Sequence, residues 1–198
     1  MNGAIIAGGA ATRMEGAAKG LLEVHGRRIL DRLVNAFFEA LGVLPLLVAN
    51  APHAREWRGD LRVVPDRRAG VGTLGGLWTA VLEAPAPVVC VAWDMPFVPA
   101  GLLRELAAGL EGGGQDVCIP ASGGRRGVEP LCAAYGPATG PAMAAALDRG
   151  DLRAVAFHEA VRVNVLSEDR VRRFGEPARL FFNVNTADDL VRANGMAP

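Results

Sequence analysis

Short apolar runs alternate with helix-length segments along nearly the whole chain, and that alternation constrains its fold more than any other feature. Residues 4–7, 44–49, 61–64, 88–93, 117–120, 131–134 and 161–165 are rich in Val, Ile and Leu and too short to be helices by themselves. Strands that are apolar without alternation suit a parallel sheet covered on both faces. Between them, residues 29–41 place Ile29, Leu30, Leu33, Phe37 and Leu41 near one helical face, with Gly42 as a stop. Residues 74–83, 102–110, 141–147 and 187–193 also read as helices. The order predicts a layered α/β fold with a largely parallel sheet. With 198 residues the chain can bury a sizeable core, and one domain over residues 1–198 is expected.

Composition narrows the function classes. Lys and Arg number 21 and are balanced by 21 Asp and Glu, and no basic run stands out, which disfavours nucleic-acid binding through a charged face. No secretory pattern of a basic stretch before an apolar run opens the chain, and no apolar stretch of about 18 residues suggests a membrane span. Cys90, Cys118 and Cys132 lie in apolar runs without metal-ligand spacing, so they read as reduced core thiols. A cytoplasmic protein is expected.

The first apolar run passes into a glycine-rich stretch, AGGAATRMEGAAKGLL, from residue 7 to residue 22. In open α/β sheets, ligands bind beyond the carboxyl ends of strands. Gly8 and Gly9 would let the backbone turn and approach a ligand, and free N–H groups there would suit a phosphate. Arg13 offers a fork for phosphate oxygens and Lys19 a point charge. A glycine turn with surface cations would look the same. The spacing is neither a Walker A loop nor G-x-G-x-x-G.

Two aspartates end other apolar runs. Asp94 follows residues 88–93 and precedes Met95-Pro96; a carboxylate there suits Mg2+, or a turn or helix cap. Asp66 follows Val64-Pro65 and precedes the glycines of residues 70–76; it could bond a ribose or base, or simply make a turn. Near the carboxyl end, Thr186 with Asp189 reads as a helix cap, which leaves Asn183 and Asn185 unexplained. Amides at i and i+2 of an extended segment would point the same way. His25, His53 and His158 have no metal-like spacing and read as structural or exposed; His25 precedes Gly26 in a turn. Residues 109–115 read as a surface connection, and residues 122–127, with Arg125 and Arg126, as a flexible loop able to meet an anion or only solvent.

In order and spacing these pieces resemble the MobA-type molybdenum cofactor guanylyltransferases of the nucleotidyltransferase superfamily. The matching residues are Ile6-Ala7-Gly8-Gly9, Arg13-Met14, Lys19-Gly20-Leu21-Leu22, Gly26, Asp66, Gly72-Thr73-Leu74-Gly75-Gly76, Asp94-Met95-Pro96, Glu129-Pro130-Leu131 and Asn183-Val184-Asn185-Thr186. The resemblance covers nearly the whole chain. It implies a Rossmann-like three-layer α/β/α sandwich of the nucleotide-diphospho-sugar transferase type. It implies transfer of GMP from GTP to molybdopterin with release of pyrophosphate, and Mg2+ as cofactor. By the same resemblance Ile6, Ala7, Gly8 and Gly9 would line the nucleotide through backbone groups. Lys19 and Arg13 would hold phosphates, Asn50 and Asp66 would contact the nucleoside, Asp94 would bind Mg2+, and Asn183 and Asn185 would face the reacting phosphates or the pterin. Docking to molybdenum cofactor biosynthesis proteins and acceptor molybdoenzymes is implied as well. The chain departs from the family at Glu15-Gly16, Ala18, Thr73 and Trp93, the last where Cys or a small residue is usual. A cytidylyl or sugar-phosphate transferase of the same fold, and a non-catalytic nucleotide-binding adaptor, are the alternatives.

Overall fold

The computed structural model describes residues 1–8, 18–112, 114–123 and 127–197. Gly9, Arg13, Arg125 and Arg126, singled out above, lie outside the described residues. Nine strands run in chain order as β1 (Asn2–Ala7), β2 (Glu23–Val24), β3 (Arg27–Arg28), β4 (Leu46–Ala49), β5 (Val63–Val64), β6 (Val88–Ala92), β7 (Val117–Pro120), β8 (Cys132–Tyr135) and β9 (Val163–Leu166) among the described residues. The helices are α1 (Ile29–Leu41), α2 (Ala54–Trp57), α3 (Gly72–Glu83), α4 (Ala100–Glu111), α5 (Thr139–Asp148), α6 (Glu168–Arg172), α7 (Pro177–Leu180) and α8 (Ala187–Gly195).

One sheet has the order β5-β4-β1-β6-β8-β7-β9. β1 pairs in parallel with β4 and β6, β4 with β5, and β7 with β9, while β8 runs against both β6 and β7. Alternation along the strands divides the core. Ile5, Leu47, Val89 and Val91 face the layer of α1 and α4, whereas Ala4, Ile6, Val48, Val88 and Cys90 face that of α3 and α5. This is the layered α/β fold with a largely parallel sheet that the alternation predicts, and the three-layer α/β/α sandwich that the resemblance implies. α1 buries Ile29, Leu30, Leu33, Val34 and Phe37 and ends on Gly42, whose φ of 70° is the left-handed stop expected there.

The differences from expectation have local causes. Residues 109–111 are not part of a surface connection but the last turn of α4. Gly109 is there for packing: a Cβ on it would lie 2.2 Å from Cys118 Sγ, so only glycine lets the helix sit against β7. α5 begins at Thr139, two residues early, because Pro141 is tolerated within a first turn. The strand over 44–49 shortens to Leu46–Ala49, with Leu44 left 44% exposed. The short elements β2, β3, α2, α6 and α7 carry too few residues to show a period.

The β2–β3 hairpin turns on His25 (φ 50°) and Gly26 (φ 68°), the left-handed pair that a two-residue hairpin needs. It is also where the carboxyl-terminal helix α8 docks. The His25 backbone N–H donates to Asn194 Oδ1 at 2.8 Å, and Asn194 Nδ2 donates to Glu23 O at 3.4 Å. α8 begins with the expected capping box, Thr186 accepting from the Asp189 N–H while Asp189 accepts from the Thr186 N–H. α8 is thereby held beside the β2–β3 hairpin.

Candidate functional site

Because β1, β4, β5 and β6 run parallel, the residues leaving their carboxyl ends share one edge. In sheet order they are Asp66 after β5, Asn50 after β4, Gly8 after β1 and Asp94 after β6. From β1 the chain first adds strands on one side, β4 and β5, then returns to place β6 on the other. The crevice beyond β1 and β6 is therefore a topological switch point, the place where open α/β sheets bind ligands.

Asp94 is set by its main chain. The Trp93 N–H donates to Ile6 O at 3.2 Å, extending the β1–β6 pairing one residue past the strand, and the Met95 N–H turns back to Ala92 O at 3.3 Å. Asp94 O accepts from the Val184 N–H at 2.9 Å, which ties the carboxyl-terminal segment to this turn. The side chain is only 15% exposed, and Oδ1 is buried with no hydrogen-bond partner among the described residues. Burial pushes the carboxyl above the ordinary aspartate value, against the opposing pull of the Lys19 ammonium and a backbone N–H.

Lys19 opens a short 3-10 turn, Lys19–Leu21, and its side chain is 18% exposed. Nζ donates to Asn185 Oδ1 at 2.6 Å and stands 3.9 Å from Asp94 Oδ2. Residues 19, 94 and 185, remote in sequence, thus form one cluster of a cation, a carboxylate and an amide. An ammonium has three donors, and one of them goes to Asn185. Of the two amides expected to point together, Asn185 touches Lys19 while Asn183 Nδ2 donates to Phe181 O at 2.9 Å.

On the other side of β1, Asn50 and Asp66 clasp each other. Asn50 Nδ2 donates to Asp66 Oδ2 at 2.7 Å, and the Asp66 N–H donates to Asn50 Oδ1 at 2.8 Å. α3 approaches this end of the sheet through Gly76, where a Cβ would lie 2.8 Å from Ile6 Cγ2 and 3.6 Å from Asp66 Oδ1. Gly76 therefore serves helix-on-strand packing next to the edge. Further along the edge, a cavity of about 240 Å3 is lined by Ser122, Gly123, Glu129, Pro177, Ala178 and Phe181.

The donor set fits a hard divalent cation in one respect and limits it in another. Asp94 offers a buried, unpartnered oxygen. No group of three or more His, Cys, Asp or Glu that could hold a metal exists among the described residues. A cation here would share its shell with substrate oxygens and water, as Mg2+ commonly does with phosphates. The cysteines are free and buried, as expected of core thiols, and burial raises the pKa of Cys118 to about 11.

Sequence reasoning missed the contacts that position the cluster: the Lys19–Asn185 bond, the Asn194 clasp and the stacking of Trp57 on Trp93 at 5.0 Å between ring centroids. Trp93 itself was visible as a departure from the family.

A largely parallel sheet with polar side chains gathered at its switch point is the arrangement in which open α/β proteins bind their ligands. Residues 3–163 match the MobA-like NTP transferase domain, and the chain belongs to that family. It is a nucleotidyltransferase. It is 36% identical over 196 residues to a probable molybdenum cofactor guanylyltransferase of Pelotomaculum thermopropionicum, covering 98% of this chain and 92% of the relative. The crystal structure of molybdopterin-guanine dinucleotide biosynthesis protein A from Archaeoglobus fulgidus superposes with a TM-score of 0.82 at 26% identity, covering 98% of this chain and 97% of that one. The fold alone is shared with 4-diphosphocytidyl-2C-methyl-D-erythritol synthase from Anaerococcus prevotii, at TM-score 0.69 and 14% identity over 98% of this chain and 94% of that one. The nucleotide-diphospho-sugar transferase type of fold is thus the one present. No helix among the described residues is long and apolar enough to cross a membrane.

Proposed function

We propose that this protein is a molybdenum cofactor guanylyltransferase, transferring GMP from GTP to molybdopterin and releasing pyrophosphate. The observation that carries the reading is the cluster at the β1–β6 switch point: Lys19 beside a carboxylate whose buried oxygen has no hydrogen-bond partner among the described residues. The guanylyltransferase relative, similar over nearly the whole chain, supports the choice of substrates.

In the proposed reaction a terminal phosphate oxygen of molybdopterin attacks the α-phosphorus of GTP in line. The new P–O bond forms as the bond to the β-phosphate oxygen breaks, and pyrophosphate leaves. The nucleophile is already an anion, so the protein has to position charges and neutralise them rather than supply a strong base. Lys19 holds phosphate oxygens, and the backbone of Ile6, Ala7 and Gly8 lies along the nucleotide; Gly9 and Arg13, outside the described residues, keep the roles that the family resemblance implies. Asn50 orients Asp66 towards the nucleoside through their reciprocal bonds. Asn185 holds the Lys19 ammonium in place. Asp94 would hold Mg2+, which when bound supplies positive charge against the phosphates. The cavity beside Ser122 and Phe181, whose chain leads into Asn183 and Asn185, suits the pterin side of the reaction. One domain over residues 1–198 does this work. Buried free thiols fit the cytoplasm, where delivery to cofactor-assembly proteins and acceptor molybdoenzymes would follow.

The test is pyrophosphate release by the purified protein with Mg2+, molybdopterin and either GTP or CTP. Release with GTP and little with CTP is expected. Release with CTP alone would replace the guanylyl reading with a cytidylyl one, and nucleotide binding without release in any combination would mark an adaptor.

A further inference from the structure

We infer that Trp93 is a positioning residue for the nucleotide site, its indole forming the floor on which the Lys19–Gly20 turn rests. The inference rests on the nucleotidyl-transfer reading above. A Cβ placed on Gly20 would lie 2.5 Å from Trp93 Cε3 and 3.2 Å from Cδ2. Backbone and ring are therefore already in contact, with no room for one further carbon. Gly20 is not among the residues of positive φ, so what excludes a side chain there is this contact and not the backbone conformation.

The ring cannot retreat. Its rings stack on Trp57 with centroids 5.0 Å apart and planes at 24°, and both residues are buried, 7% and 8% exposed. The Trp93 main chain is pinned to β1 through Ile6 O. Trp57 lies in α2, the element that follows β4 and Asn50. Trp93 also immediately precedes Asp94, so one residue sets both the depth of the Lys19 turn and the anchor of the carboxylate. The 3.9 Å between Lys19 Nζ and Asp94 Oδ2 depends on how deeply the turn sits on the ring. Trp93 acts on phosphate binding through Lys19.

The experiment is a double-substitution cycle on Gly20→Ala and Trp93→Leu, read as the dissociation constant for GTP with Mg2+ by calorimetry, beside thermal melts. An added carbon that lifts the Lys19 turn by about 1 Å should weaken GTP roughly tenfold, within the cost of an ångström of misplacement. Trp93→Leu alone should weaken GTP about threefold. The double variant, with room under the turn again, should recover most of the Gly20→Ala loss, a coupling that independent sites do not show. Folded Gly20→Ala protein that binds GTP like the parent would overturn the inference, as would a double variant as weak as the two losses multiplied. If Gly20→Ala does not fold, unchanged GTP affinity in Trp93→Leu with a lowered melting temperature gives the ring a packing role only. A parent protein that binds no GTP would instead overturn the functional reading, and the inference with it.

Discussion

Asp94 and Asp116 sit at opposite ends of the sheet with the same side-chain exposure, 15%, and opposite chemistry. Asp116 precedes β7 at its amino end. Arg162, which precedes β9, grips it with Nη2 at 2.9 Å and Nε at 3.0 Å, and the Arg162 backbone N–H adds a third bond at 2.9 Å. These bonds lower the Asp116 pKa to about 2. Asp94, at the carboxyl edge, has Lys19 at 3.9 Å, a buried oxygen without a partner among the described residues, and a raised pKa. Equal exposure therefore does not make equal carboxylates; the donors that meet them do. One is satisfied and clasps two strands together. The other is held short of donors at the edge where a nucleotide would bring a cation.

The sharpest way to break this contrast is Asp94→Ala. Turnover should fall on the order of 100-fold or more, the scale of losing a group aimed at developing charge. Pyrophosphate release at the parent rate would remove Asp94 from the site. Asp94→Asn separates function from stability. The raised pKa means that the folded protein disfavours the ionised form, so ionised Asp94 costs stability above its folded pKa, and the cost shrinks as pH falls through that value and is gone below the ordinary aspartate value. The Asn variant should thus melt at or above the parent near pH 7, with the gap closing in acid. A clear loss of melting temperature at pH 7 would show that Asp94 contributes to holding the fold.

Next in size is Lys19→Ala. Losing a charge-assisted contact of about 1.5–3 kcal/mol should weaken GTP roughly 10- to 100-fold. Titration calorimetry with Mg2+ measures this directly, and equal affinity would leave Lys19 outside the phosphate site. The smallest effect belongs to Asp116→Asn. Turnover should not change. A modest stability loss, limited by the exposure of Arg162, should be present above about pH 4 and disappear as pH falls through about 2. Identical melts at pH 7 would mean that the Arg162 clasp adds nothing to the fold.

Much of the architecture was legible because burial on both faces makes a strand apolar throughout, and residues such as Val88, Val89, Cys90 and Val91 are fully or almost fully buried. Helix ends marked by Gly42 and Thr186 were legible because caps are local chemistry. The role of Gly109 was not, since glycine has the same letter whether it turns a chain or admits a sulfur atom against a helix. Asn183 and Asn185 illustrate the same limit. Their spacing suggested a shared direction, yet one amide reaches Lys19 and the other bonds to its own local backbone.

By itself the amino-acid sequence determined the alternation of strand and helix, the helix caps, the glycines after β1 and the carboxylates that end β5 and β6. Each of these follows from the period of burial or from bonds within a few residues. Tertiary structure alone decided that Lys19 meets Asn185, that Asn50 clasps Asp66, and that Trp93 lies under Gly20. Those meetings depend on strand order, which lines up four carboxyl ends, and on the Asn194 clasp, which brings α8 to the hairpin after β1. Strand order is set by the burial of the whole sheet between two helical layers, and the clasp by a bond between residues 169 apart; no local stretch of sequence encodes either.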